Sequence, residues 1–158
     1  MKLSSNEEYG LRCLVRLARE GAGGSLTIPE ISEAEGVSNA YVAKLMRILR
    51  RGGLVNSSRG KIGGYVLARP AGDISMVEVM SVLGGRLFEP GFCEAHAGQM
   101  HACASLTDCS LRSLWRNIQR AVDEVLDRTT LQDLVRDATS SWVKAEQITA
   151  EPGPVSSQ

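Results

Sequence analysis

The residues that decide the fold run from Thr27 to Ala68: TIPEISEAEGVSNAYVAKLMRILRRGGLVNSSRGKIGGYVLA. Thr27 suits the cap of a short helix with Pro29 in its first turn, where a missing N–H costs nothing. That helix reaches about Glu35 and stops at Gly36. Ser38 then caps a second helix, from Asn39 to about Arg51, with Val42, Leu45, Met46, Ile48 and Leu49 as its apolar stripe. Two short helices joined by a glycine-containing turn form a helix-turn-helix unit. Two core helices of an α-bundle would give a similar pattern. The second helix's polar face, however, is wholly basic or neutral, which favours a polyanion partner. Leu54–Ser58 and Tyr65–Ala68 read as two short strands, and the glycine-rich segment Arg59–Gly64 joins them in a tight turn. A helix-turn-helix followed by a hairpin with Arg59 and Lys61 at its tip is a winged helix, and Pro70 closes the wing.

Charge distribution supports this reading. The 158 residues carry 18 Lys/Arg and 18 Asp/Glu, yet residues 1–73 hold eleven basic against seven acidic residues, and residues 74–158 hold seven against eleven. Tyr41–Arg69 contains seven basic residues and no acidic one. Such a patch is the usual footprint of a polyanion partner, against the plainer alternative of a solvated face. No apolar run approaches the ~18 residues that cross a bilayer, and the N-terminus lacks a signal-peptide core. A cytoplasmic protein is expected, in which clustered cysteines serve metal, cluster or redox chemistry rather than a disulfide framework.

Further out, Ser5 to Ala18 reads as a helix with a Ser5–Glu8 capping box. Cys13 lies among its apolar residues, where an inert buried thiol is expected. Ser75 and Glu78 form another box, opening a helix that buries Met76, Val79, Met80 and Leu83 and ends at Gly84-Gly85. Ser110 begins the longest amphipathic pattern, to about Arg128, with Leu111, Leu114, Trp115, Ile118, Val122, Val125 and Leu126 on one face. That stripe exceeds what a small winged domain needs, so pairing with a second copy is predicted. Thr130 and Asp133 open a last helix. The fold expected is mainly α with a small β-hairpin wing: a winged helix-turn-helix domain over 1–86, a cysteine loop over 87–109, a dimerisation helix and C-terminal helix over 110–145, and a disordered tail over 146–158.

Between these helices lies Phe92–Arg116, FCEAHAGQMHACASLTDCSLRSLWR, with Cys93, Cys103 and Cys109 spaced Cys-x9-Cys-x5-Cys beside His96 and His101. Zinc sites favour two close Cys-x2–4-Cys pairs, which do not occur here. Three soft thiolates with one open position suit an iron–sulfur cluster, [2Fe–2S] ahead of [4Fe–4S]. A cluster-free thiol switch and unconnected surface cysteines are the alternatives.

These residues resemble the winged-helix regulators typified by IscR, NsrR and CymR. The resemblance covers nearly the whole ordered chain: Met1-Lys2-Leu3-Ser4, Tyr9-Gly10-Leu11-Arg12, Ile28-Pro29-Glu30-Ile31, Gly36-Val37-Ser38-x2-Tyr41, Leu114-Trp115 and Leu131-Gln132-Asp133-Leu134. Its most specific part is the wing, Gly53-Leu54-Val55 to Arg59-Gly60-x2-Gly63-Gly64-Tyr65. The resemblance implies a homodimeric transcription factor whose DNA affinity a three-cysteine iron–sulfur cluster can control. One branch of the family has a histidine ligand three residues after the last cysteine, where this chain has Arg112. Another uses a carboxylate from the partner's first helix, at the position of Glu8. Glu8 is therefore the implied fourth ligand, with Glu7 behind it, against the plainer capping role with Ser5; His96 and His101 are chemically able. The nine-residue first cysteine gap is longer than in the best-known members. Ala43 stands where some members carry an acidic residue, which puts a cluster-dependent choice between two operator classes in doubt.

A recognition helix enters the major groove by its N-terminal turns, which makes Ser38, Asn39, Ala40, Tyr41 and Lys44 the base-reading candidates. Asn39 could pair adenine N6/N7. For Tyr41 the competing role is packing within the motif. Arg47, Arg50 and Arg51 lie further along and suit phosphates, while Arg59 and Lys61 suit a minor groove or flanking phosphates. A cluster carrier that binds no DNA is the rival from another class, and the acid-free Tyr41–Arg69 segment argues against it. No nucleophile–base set or phosphate loop supports an enzyme.

Overall fold

A computed structural model describes residues 4–58, 63–85 and 109–136. Helix α1 spans Ser5–Arg19, α2 Ile28–Glu35 and α3 Asn39–Arg51; strands β1 (Val55–Ser58) and β2 (Gly64–Leu67) follow. After a 3-10 turn at Ala71–Asp73 come α4 (Met76–Leu83) and α5 (Ser110–Asp127). Residues 131–136 are again helical.

Helices α1 to α4 each start where a side chain satisfies a free N–H group. The box on α1 lies one residue earlier than the sequence suggests: Ser4, with extended backbone, accepts from the Glu7 N–H at 3.3 Å, and Glu7 takes the Ser4 N–H at 2.6 Å. Ser5 is already helical, so it cannot cap. Thr27 and Glu30 form the corresponding box on α2, and Gly36 ends that helix in the left-handed region at φ 66°. Ser38 caps α3 by accepting from the Tyr41 N–H at 3.2 Å. Ser75 caps α4, but Glu78 does not reciprocate, because its carboxylate ion-pairs with Arg69 from the end of the wing.

Inward residues of α1 (Cys13, Leu14, Leu17), α2 (Ile31), α3 (Val42, Leu45, Met46, Leu49) and α4 (Met76, Val79, Leu83) form one core with Leu54, Val55, Ile74 and Leu131. Two glycines permit close approaches of apolar side chains from α4. A Cβ on Gly10 would sit 2.4 Å from a Leu83 methyl, and one on Gly52 2.5 Å from Val82.

β1 and β2 pair antiparallel, Val55 opposite Leu67 and Ser58 opposite Gly64. Leu26, ahead of α2, adds a one-residue third strand through two backbone bonds with Tyr65 at 3.1 and 2.8 Å. The wing thus leans on the entrance to the helix-turn-helix. At its base, the Leu54 N–H donates to the Leu49 carbonyl at 3.0 Å, which ties β1 to the end of α3. The wing tip, 59–62, lies outside the described residues.

The C-terminal segment returns to the core. Met76 N–H donates to the Thr129 carbonyl and Leu131 N–H to the Ile74 carbonyl, both at 2.9 Å. A Thr130–Asp133 box opens residues 131–136, and Leu131 is fully buried.

Candidate nucleic-acid interface and cysteine site

On α3 the apolar stripe faces the core, which leaves Ser38, Asn39, Ala40, Lys44, Arg47, Arg50 and Arg51 exposed. Among the described residues, Arg47, Arg50 and Arg51 meet no carboxylate. Three arginines elsewhere in the fold behave differently: Arg12 pairs with Glu8 at 2.6 Å, Arg16 with Glu35 at 2.8 Å, and Arg69 with Glu78. A row of cations left unneutralised on one helix face is what phosphate contacts require.

Tyr41 is only half exposed. Its ring packs edge-on against Tyr9 of α1, centroids 5.9 Å apart at 79°, and its hydroxyl donates to Asn6 Oδ1 at 3.2 Å. Partial burial raises the phenol's pKa, with Tyr9 adding to the effect. Lys44 Nζ lies 3.5 Å from the same Asn6 oxygen and 5.9 Å from the Tyr41 ring centroid. Asn6 and Tyr9 therefore brace the leading turns of α3. Sequence reasoning missed Asn6, because the contact spans 35 positions and leaves no local signal. Arg59 and Lys61 lie outside the described residues.

The cysteines divide. Cys13 is wholly buried in the core, and burial, with Glu35 adding to it, pushes its thiol up to about 12. It is protonated at any physiological pH. Cys93, Cys103, His96 and His101 lie outside the described residues. Cys109 is partly exposed at the N-cap of α5, where its side chain makes no capping bond. Among the described residues no three His, Cys, Asp or Glu side chains gather as a metal site.

Glu7 is committed to the α1 cap, whereas Glu8 is free of it. The Glu8 carboxylate is exposed and gripped by Arg12 through Nη2 at 2.6 Å and Nε at 2.8 Å, which raises the Arg12 pKa. It edges a cleft of about 320 Å³ between α1, Glu35 and Leu134. An exposed carboxylate and an uncapped, partly exposed thiol fit the chemistry of an oxygen-and-sulfur donor set. On α5, Leu111 (60%), Leu114 (49%), Trp115 (43%) and Val125 (66%) remain exposed, while Leu126 packs on the core. No helix among the described residues is long and apolar enough to cross a membrane.

A helix-turn-helix, a hairpin wing locked to its second helix and an unneutralised basic face together define a winged-helix regulator. The family model Rrf2, an iron-dependent transcriptional regulator, matches residues 3–137. Protein rrf2 of Nitratidesulfovibrio vulgaris is 34% identical over 139 residues, 88% of this chain and 90% of the relative. The IscR regulator of Salmonella agona is 30% identical over 158 residues, covering 100% of this chain and 93% of its own. Among solved structures, CymR, the global cysteine regulator of B. subtilis, has a TM-score of 0.68 at 34% identity and covers 86% of this chain and 97% of its own. T. potens IscR has a TM-score of 0.68 at 33% identity, covering 87% and 88%. The chain belongs to the Rrf2 family of transcriptional regulators; it is not an enzyme.

Proposed function

We propose that this regulator binds double-stranded operator DNA as a homodimer and that an iron–sulfur cluster on Cys93, Cys103 and Cys109 sets its affinity. The observation that carries the DNA reading is the exposed row Lys44, Arg47, Arg50 and Arg51 without carboxylate partners. In this reading Ser38, Asn39, Ala40 and Lys44 face base edges, and Arg47, Arg50 and Arg51 take phosphates. Tyr41 shares the leading turn, with its hydroxyl held by Asn6, so its part is to fix that turn against α1. Arg59 and Lys61 flank from the wing. The exposed apolar residues of α5 supply the contact between copies.

A bound cluster would supply a one-electron or ligand-loss signal. Glu8, from the partner's α1, is the proposed fourth donor. To reach iron its carboxylate must exchange or share Arg12, and a carboxylate held by a guanidinium is a replaceable ligand for a soft centre. The division proposed is a DNA-reading unit over 1–86, a cysteine loop over 87–109 and a dimerising segment over 110–145, within a cytoplasmic protein. A family model described as iron-dependent supports the cluster reading. The competing reading, a cluster-free thiol switch, draws on a structural relative, S. aureus CymR, solved in an oxidized form.

Anaerobic purification separates the two readings. Visible absorption with stoichiometric iron and sulfide is expected, and a colourless, iron-free protein would leave the thiol switch. Operator affinity should fall with salt, and Arg47→Ala should reduce the slope of log K against log salt by about 1. Holo protein and anaerobic Cys103→Ala should differ in affinity; equal values would refute cluster control.

A further inference from the structure

Four other helices of this chain open on a hydroxyl side chain with an acid three residues on: Ser4 with Glu7, Thr27 with Glu30, Ser75 with Glu78 and Thr130 with Asp133. Helix α5 keeps that spacing and inverts its chemistry. Its N-cap is a thiol, Cys109, and its third residue is a cation, Arg112, with no acidic residue in the first turn. Helix N-termini favour negative charge, so a guanidinium there is misplaced unless an anion accompanies it. The Arg112 backbone N–H donates to the Cys109 carbonyl at 3.2 Å. Its side-chain Nε is buried without a hydrogen-bond partner, and it is the one buried side-chain nitrogen or oxygen among the described residues so left. A buried unsatisfied donor on a charged group is costly. Both penalties vanish if negative charge sits beside Cys109. N-cap and third-residue side chains are neighbours in such boxes, so Arg112 is the residue positioned to meet it.

We propose that, with the cluster bound, Arg112 donates from its guanidinium to an inorganic sulfide of the cluster that Cys109 ligates and offsets its negative charge. This rests on the cluster reading above. Arg112 has no lone pair to give iron, so it acts as a positioning and tuning residue rather than a ligand. Adding one electron makes a thiolate-bound cluster more negative. A donor and positive charge beside the sulfur therefore favour the reduced state and raise its potential.

The test is a dithionite titration of anaerobically reconstituted full-length protein, with iron, sulfide and visible absorption measured alongside. Arg112→Leu should shift the ratio of reduced to oxidised cluster about tenfold at a fixed poise, a midpoint lower by about 59 mV for one electron. Arg112→Lys should recover part of that shift. Arg116→Leu, an exposed arginine further along the helix, should match the wild type. Loss of cluster from folded Arg112→Leu that Arg112→Lys restores also supports the role. Should Arg112→Leu fail to fold by circular dichroism, Arg112→Gln, which keeps polarity but not charge, takes its place. A midpoint unchanged in the neutral variant overturns the assignment to Arg112 alone. A wild-type protein that takes up no iron or sulfide overturns the cluster reading and this assignment together.

Discussion

At the scale of single residues, burial decides which thiol and which tyrosine have chemistry to offer. Cys13, with its thiol pushed up to about 12, lacks a thiolate at pH 8, whereas Cys109 is partly exposed. Iodoacetamide at pH 8 should therefore label Cys109 in the folded, cluster-free protein and reach Cys13 only after denaturation, as peptide mass spectrometry would report. Equal native labelling would contradict the buried placement. The sequence made Cys13 legible, since its apolar neighbours recur at helical spacing. Tyr41 was only half legible: its place on α3 could be read, but its hydroxyl's partner could not. Tyr41→Phe removes the bond to Asn6 and should cost about 0.5–1.5 kcal/mol in urea unfolding. Under the proposed function it should weaken operator binding less than loss of Arg47 and Arg50 together.

At the scale of elements, the starts of α1, α2, α4 and the last helical segment were legible from a hydroxyl with an acid three residues on, and that of α3 from Ser38 alone. The one slip, on α1, has a plain cause. Ser4-Ser5-Asn6-Glu7-Glu8 contains two overlapping Ser-x-x-Glu pairs, and only the backbone angles tell which serine lies outside the helix. The Leu26 strand was not legible at all, since one bridging residue makes no alternating pattern. The caps also carry a pH signature. Hydrogen bonds from Thr27 and Thr130 hold the Glu30 and Asp133 carboxyls below their ordinary range. A depressed folded pKa contributes stability above the unfolded value, and that contribution is lost as pH falls through the folded one. Wild type should thus lose stability in acid somewhat faster than Glu30→Gln with Asp133→Asn. Unfolding midpoints from pH 7 down to pH 3 check this, and parallel curves would count against it. The groups are solvent-exposed, so the difference should be small.

At the scale of the whole molecule, the exposed apolar face of α5 asks for a cover. Leu111, Leu114 and Trp115 cluster within its first turns, and the proposal assigns them to a second copy. Leu114→Glu with Trp115→Glu should convert the protein from dimer to monomer in sedimentation equilibrium while its helical circular dichroism persists. A dimer that survives both charges would remove α5 from the interface. The amphipathic pattern made this helix legible, though not which part of the stripe stays at home. Leu126 packs on the core and Gln119 is buried, so the face is shared rather than wholly outward.

The two backbone bonds that join Met76 to Thr129 and Leu131 to Ile74 have a topological consequence. They pin together positions more than fifty residues apart, so the cysteine-bearing stretch and α5 form an excursion closed at its base. The entropy of closing so long an excursion changes slowly with its length, by about 0.6 kcal/mol for a doubling. A cysteine gap of unusual length is therefore cheap for the winged-helix body to carry. Chain length between the thiols can therefore vary at little cost to the winged-helix body.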